Sequence, residues 1–131
     1  MKALIITAAL LSLFTALRAS CVLIDAGEIR EGSAIVIPDR ANSVEKTAAK
    51  ELKYHLEKAC GVKLPILTES RAASAVTSGF KLGRVGGAPD TTGTAPGTFE
   101  LKFRDGFLYI SGHDGAGAEN LARTPAGTLF G

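Results

Sequence analysis

The stretch AIVIPDRANSVEKTAAKELKYHLEKACGVKLPIL, residues 34–67, decides the fold. Ala34-Ile35-Val36-Ile37-Pro38 is a short apolar run rich in β-branched residues, and Pro38-Asp39 closes it as a turn would. Asn42 then stands three residues before Glu45, the spacing of a capping box in which each side chain satisfies an open amide of the first helical turn. The residues that follow repeat with helical period. Val44, Ala48, Leu52, Leu56, Ala59 and Cys60 fall within an arc of about 160°, opposite Lys46, Lys50, Lys53, Glu57 and Lys58. Gly61 can take the left-handed conformation that ends a helix, and Val62 to Leu67 reads as a second strand. The spacing predicts strand, helix over 43–60, strand, with one face of the helix built to lie on a sheet.

Working outward, Cys21 to Ile24 and Ser33 to Ile37 read as short extended pieces separated by a polar turn. Arg71 to Ser78 has no strong period and reads as a loop with room for one helical turn. Phe80-Lys81-Leu82 is a short strand, and the Gly-, Pro- and Thr-rich tract from Gly86 to Gly97 is a loop. Thr98 to Phe103 alternates apolar and polar residues, and Phe107 to Ser111 follows across Asp105-Gly106. Asp-Gly between two such runs signals a hairpin, because both central residues of its turn need positive φ. Gly127 to Gly131 reads as the first turn of a helix that is cut off. The expected class is α/β (α+β): a two-layer sandwich with a mixed sheet, the 43–60 helix on one face, and a signal helix in front.

Residues 1–19 have the organisation of a signal peptide. Lys2 supplies a charged start, Ala3 to Leu17 is an apolar run, and Ala19 offers a small residue for cleavage. The run is short for a spanning helix, which needs about 20 apolar residues. Its removal changes the charge, since the loss of Lys2 and Arg18 leaves 13 basic against 13 acidic side chains. A neutral surface gives no electrostatic footprint for nucleic acid or an anionic membrane, and both classes of partner are set aside. What remains, residues 20–131, is enough for one domain with a modest core. Of the two cysteines, Cys60 lies on the edge of the helix's apolar arc, where a small buried thiol is common. A Cys21–Cys60 disulfide and a lipid on Cys21 are weaker readings; Arg18 stands where a lipoprotein signal wants an aliphatic residue.

With these elements in place, the wording of Val44 to Ile66 resembles the N-terminal accessory domain of secreted bacterial glycoside hydrolases. That domain precedes the catalytic barrel in α-glucuronidases and β-N-acetylhexosaminidases. Leu82-Gly83-Arg84 is similar to the strand after its loop, Asp105 to Gly112 to its hairpin, and Gly127 to Gly131 to the start of the helix that leads to the barrel. The resemblance covers roughly Val22 to Gly131, and each motif is largely a packing pattern. It departs at Cys60, where a hydroxyl or other small residue is usual, and at Gly131, where relatives run on into the barrel. The resemblance implies a non-catalytic accessory domain over 20–131, secreted or periplasmic, supporting a catalytic domain that carries the acids. The implied partners are that carbohydrate-active domain and, secondarily, a polysaccharide.

No residue is nominated as catalytic, cofactor-binding or metal-ligating, and no cofactor is expected. Glycoside hydrolysis needs two carboxyl groups across the scissile bond, and no pair stands out. Glu51 and Glu57 follow the solvent side of the helix, and Asp105 belongs to its turn. His113-Asp114 is the best local constellation, yet zinc sites take three or four ligands, and the other histidine, His55, is on the helix at the border of its apolar arc. A polar turn leaving the last strand is the stronger reading of His113-Asp114, and a partly buried packing residue that of His55. Gly83-Arg84-Val85-Gly86-Gly87 follows a strand but lacks the Lys-Ser/Thr ending of a phosphate loop. Among aromatics, Phe99, Phe103 and Phe107 are expected in the core, and Tyr54 and Tyr109 on the surface.

Two function classes are carried forward. One is the accessory domain; the other is a stand-alone secreted α/β binding or inhibitory module, whose surface should hold no orphan apolar patch. Both require export. Produced in a Gram-negative host, the protein is expected to lose its N-terminus near Ala19 and to leave the cytoplasm; mass spectrometry that finds intact Met1 in the cytoplasm contradicts this.

Overall fold

The computed structural model describes residues 32–114 and 127–130. The signal segment, the Cys21–Ile24 strand and Cys21 itself lie outside the described residues. The elements run β1 (Ser33–Ile37), α1 (Ser43–Cys60), β2 (Ile66–Thr68), α2 (Glu69–Ala72), β3 (Ser78–Leu82), β4 (Phe99–Arg104), β5 (Phe107–Gly112) and α3 (Gly127–Phe130). They form a mixed five-stranded sheet of order β2-β1-β3-β5-β4. The first four strands of that order run parallel, and β4 pairs antiparallel with β5 at the edge. The α/β sandwich expected from the pattern is the fold.

β1 is the spine. It pairs on one side with β2 and on the other with β3, and every residue in it is buried. Parallel strands covered on both faces read as unbroken apolar runs, as Ala34-Ile35-Val36-Ile37 does. Alternate residues of β1 serve different layers. Ile35 and Ile37 join Ala48, Ala49, Phe80, Leu82 and Ile110 beneath α1. Ala34 and Val36 pack with Ala72 on the opposite face, where α2 lies. The β1-α1-β2 and β2-α2-β3 connections therefore pass on opposite sides of the sheet.

α1 has the predicted bounds and caps. Asn42 Oδ1 accepts the Glu45 amide at 2.8 Å, and Glu45 Oε2 accepts the Asn42 amide at 2.8 Å. Gly61 closes the other end, its N–H donating to the Glu57 carbonyl at 3.0 Å. Eighteen residues make a helix about 27 Å long, against about 17 Å for a five-residue strand. The C-terminal turns consequently overhang the sheet. Val44, Ala48 and Ala49 are buried, Leu52 and Leu56 are half-buried, and Ala59 and Cys60 are exposed. The expectation of a buried Cys60 is thus corrected, and so is that of a half-buried His55, whose side chain is 72% exposed and 3.8 Å from Glu51. β2 is shorter than the predicted Val62–Leu67. Pro65 lacks an N–H for the ladder, which registers only from Ile66, although its carbonyl still accepts the Ile35 amide at 2.9 Å.

The hairpin has the predicted turn, with Asp105 at φ 52° and Gly106 at φ 81°. Its aromatic assignments need two corrections. Phe99 and Phe103 are 46% and 50% exposed, because alternation assigns a face to each residue but α1 does not reach as far as the edge strand. Tyr109, expected outside, is buried, because β5 is interior to the sheet and Val85 and Phe107 pack against the ring. Phe107 is in the core as expected.

The burial gradient along α1 sets an energetic order. Ile35→Ala is expected to cost about 3 kcal/mol, as a wholly buried deletion does, and Leu52→Ala about half of that. Urea unfolding of the two variants measures the difference; equal losses would contradict the overhang.

Candidate functional site

Because β1, β2, β3 and β5 are parallel, their carboxyl ends share one rim of the sheet. In open α/β sheets with helices on both faces, ligands settle at that rim where connections diverge to opposite sides. Here that point lies between the ends of β1 and β3, beside the first turn of α1 and the loop Gly83-Arg84-Val85-Gly86-Gly87.

The crevice is filled by the protein's own carboxylate. Glu45 is fully buried. Its Oε2 accepts the Asn42 amide, and its Oε1 accepts the Arg84 amide at 3.0 Å, with the Arg84 guanidinium 4.0 Å away. A helix N-terminus and a turn of exposed amides favour an anion between them, and Glu45 supplies it. Gly83 shows how closely it fits: the residue has φ 75°, and a Cβ there would strike the Glu45 side chain. The second half of the loop is engaged in the same way, with the Gly86 amide donating to Glu69 Oε1 at 2.6 Å. The loop is a receptor for internal carboxylates rather than for a phosphate.

The rest of the rim repeats the pattern. Asp39 Oδ1 accepts both the hydroxyl and the amide of Ser70, at 2.7 and 3.1 Å, tying the end of β1 to α2. The Ser70 hydroxyl, and then its amide, hold the Asp39 carboxyl below its ordinary pKa. Asp90 turns the following loop by accepting from Thr92, whose hydroxyl and amide likewise lower its pKa. Ser111 donates to the Pro89 carbonyl at 3.0 Å and pins that loop to β5.

His113 and Asp114 follow β5 directly, Asp114 in an isolated β-bridge, and each has a bracing partner. His113 Nδ1 lies 2.7 Å from the Thr94 carbonyl, which can only accept, so Nδ1 carries the proton. Asp114 Oδ1 accepts the Thr128 amide at 2.9 Å, and Thr128 Oγ1 accepts the Gly112 amide at 3.1 Å, which seats α3 on the end of β5. Beside them a cleft of about 300 Å³ is lined by Arg84, Asp90, Ser111, His113 and Asp114 among others. Of these, the two aspartates, Ser111 and His113 are held by bonds within the chain.

The other side chains singled out from sequence are not brought to the rim. Glu51 pairs with His55, Glu57 with Lys63 at 3.3 Å, and Asp105 with Arg104 at 3.4 Å, all on exposed surface. Tyr54 is exposed on α1. Among the described residues no group of three or more His, Cys, Asp and Glu is placed to hold a metal ion. No described helix is long and apolar enough to cross a membrane. Sequence reasoning missed the Tyr109 cluster, whose hydroxyl is 3.3 Å from Lys81 Nζ and whose ring lies 5.2 Å from the Arg104 guanidinium. Burial acts to raise its pKa, but hydrogen bonds from Arg104 and Lys81 outweigh it and leave the phenol below its ordinary value. Comparison with family models, curated proteins and solved structures finds no match for this chain.

Glu45→Ala leaves the Asn42 and Arg84 amides without acceptors and opens space under Gly83. At about 1–3 kcal/mol for each unsatisfied group, it is expected to cost about 3 kcal/mol in urea unfolding. Glu69→Ala, at a less buried position with one such bond, should cost under about 1.5 kcal/mol. A smaller loss for Glu45→Ala than for Glu69→Ala would overturn the assignment of Glu45 as the keystone of the rim.

Proposed function

We propose that this chain is a non-catalytic accessory domain of a secreted carbohydrate-active hydrolase of α-glucuronidase or β-N-acetylhexosaminidase type. Its role is to pack against and support a catalytic barrel. The observation that carries this reading is the stripe of Phe99, Leu101 and Phe103, 46%, 50% and 50% exposed, on the outer strand of the sheet. Register places Leu101 opposite Ile110 and Phe103 opposite Leu108, both in the cluster beneath α1, so the stripe continues the core outward past the helix. Ile110 also lines a groove of about 370 Å³ with Leu52 and Leu129. A contiguous apolar strip beside a groove is the mark of a surface with a partner. A stand-alone module would have had it covered.

The rim supports the same reading from the chemical side. Five of its carboxylates, on Asp39, Glu45, Glu69, Asp90 and Asp114, accept backbone amides of the chain itself. Carboxylates committed to bracing loops are poorly disposed to protonate a leaving group or to activate water.

The coding DNA beyond Gly131 is expected to continue, in frame or after one frameshift, into a barrel with paired acids. That barrel, produced separately, should bind the chain in calorimetry, and Leu101→Asp should weaken binding roughly tenfold or more. The chain alone should release no nitrophenol from aryl glucuronides or aryl N-acetylglucosaminides. The absence of a barrel, or glycosidase activity lost on Asp114→Asn, would overturn the reading.

A further inference from the structure

β4 ends the sheet, and its outer side is unpaired among the described residues. The two-residue turn Asp105-Gly106 makes Arg104 and Phe107 the closing hydrogen-bonded pair of the hairpin. Alternation from there directs the backbone of Lys102 and Glu100 toward β5. It leaves the N–H and C=O groups of Phe99, Leu101 and Phe103 pointing away from the sheet. The next position in the alternation agrees, since His113 donates its amide to Thr98 at 2.9 Å.

An exposed edge of this kind is a template for another strand. Natural edges are guarded by proline, by bulges or by charged side chains, lysine above all. Phe99 to Arg104 has no proline or bulge in its run; its guards are the charges of Glu100, Lys102 and Arg104. Against a second copy of the same strand, however, those charges complement themselves. In an antiparallel pair of identical strands, outward-facing residues must meet outward-facing residues, which allows only registers centred on one residue. Centred on Glu100, the pairing sets Glu100 against its own copy; centred on Lys102, it sets two lysines together. Centred on Leu101, it places Glu100 opposite Lys102 of the other copy, twice by symmetry, on one face. On the other face Phe99 meets Phe103 and Leu101 meets Leu101. Cross-strand pairs of opposite charge and of aromatic residues stabilise a sheet, whereas like charges directly opposite destabilise it.

We infer that two copies of this chain associate through β4, antiparallel and centred on Leu101, to form a continuous ten-stranded sheet with two-fold symmetry. Such an interface is isologous and closes on itself, so it ends at the dimer rather than growing into a fibre. It goes beyond the accessory role and is independent of it. Pairing uses the backbone edge, so the two apolar stripes remain on one face, now side by side.

Sedimentation equilibrium on the purified chain over a roughly hundredfold concentration range is expected to show a monomer–dimer equilibrium. Glu100→Lys places two lysines opposite each other at both symmetric positions and should raise the dissociation constant about tenfold or more, as should Lys102→Glu. The double variant Glu100→Lys with Lys102→Glu restores both pairs with reversed sign and should recover the dimer. Circular dichroism checks that each variant is folded, which the exposure of both positions favours. A chain that stays monomeric throughout, a dimer indifferent to Glu100→Lys, or a double variant weaker than either single one would each overturn the proposal.

Discussion

The carboxylate of Glu45 is the interaction on which the architecture turns. It is an ionisable group in a fully buried position, and burying one is tolerable only when its oxygens are occupied. One oxygen belongs to the first turn of α1 and the other to the amide that follows β3. A single side chain therefore joins the helix of the first crossover to the strand on the far side of β1. The left-handed Gly83 is the counterpart of this arrangement, since any side chain there would displace the carboxylate. Two residues 38 positions apart are in effect one structural unit.

The same chemistry extends along the rim. Where an α/β sheet commonly presents free amides and dipoles to a ligand, this one turns them inward. Asp39, Glu69, Asp90 and Asp114 each accept an amide from a loop or a short helix, so that the connections are stitched to one another. The polar end of the sheet is thus largely self-satisfied, and the side with unmet interactions is the opposite kind of surface, the apolar edge strand.

The local features were legible because they are written in adjacent residues. The capping box of Asn42 and Glu45, the stop at Gly61 and the Asp105-Gly106 turn each depend on a few neighbours, and all appear as read. Extent of burial was less legible, because it depends on distant segments. Nothing in the helix itself reports that β2 is only three residues long, and so Cys60 and His55 were placed too deep. Nothing in the alternation of Phe99, Leu101 and Phe103 says that the helix stops short of them. Tyr109 is the converse case, an apparently outward residue on a strand that proves to be interior. Glu45 was half legible: the cap follows from spacing, but its second bond is made to a residue 39 positions later.

The order of strands has a consequence for how the chain reaches this state. β1 finds its partners about thirty and forty-five residues downstream, through parallel pairings that each close a long loop. Such contacts arrive late and dominate the barrier to folding. The β4–β5 hairpin joins its strands through two residues and can form within microseconds. Until the parallel pairings close, that hairpin lacks the sheet that will receive it, and Leu108 and Ile110 are as bare as Phe99 and Phe103. The segment quickest to take shape is therefore also the one most in need of shelter until the slow strands close.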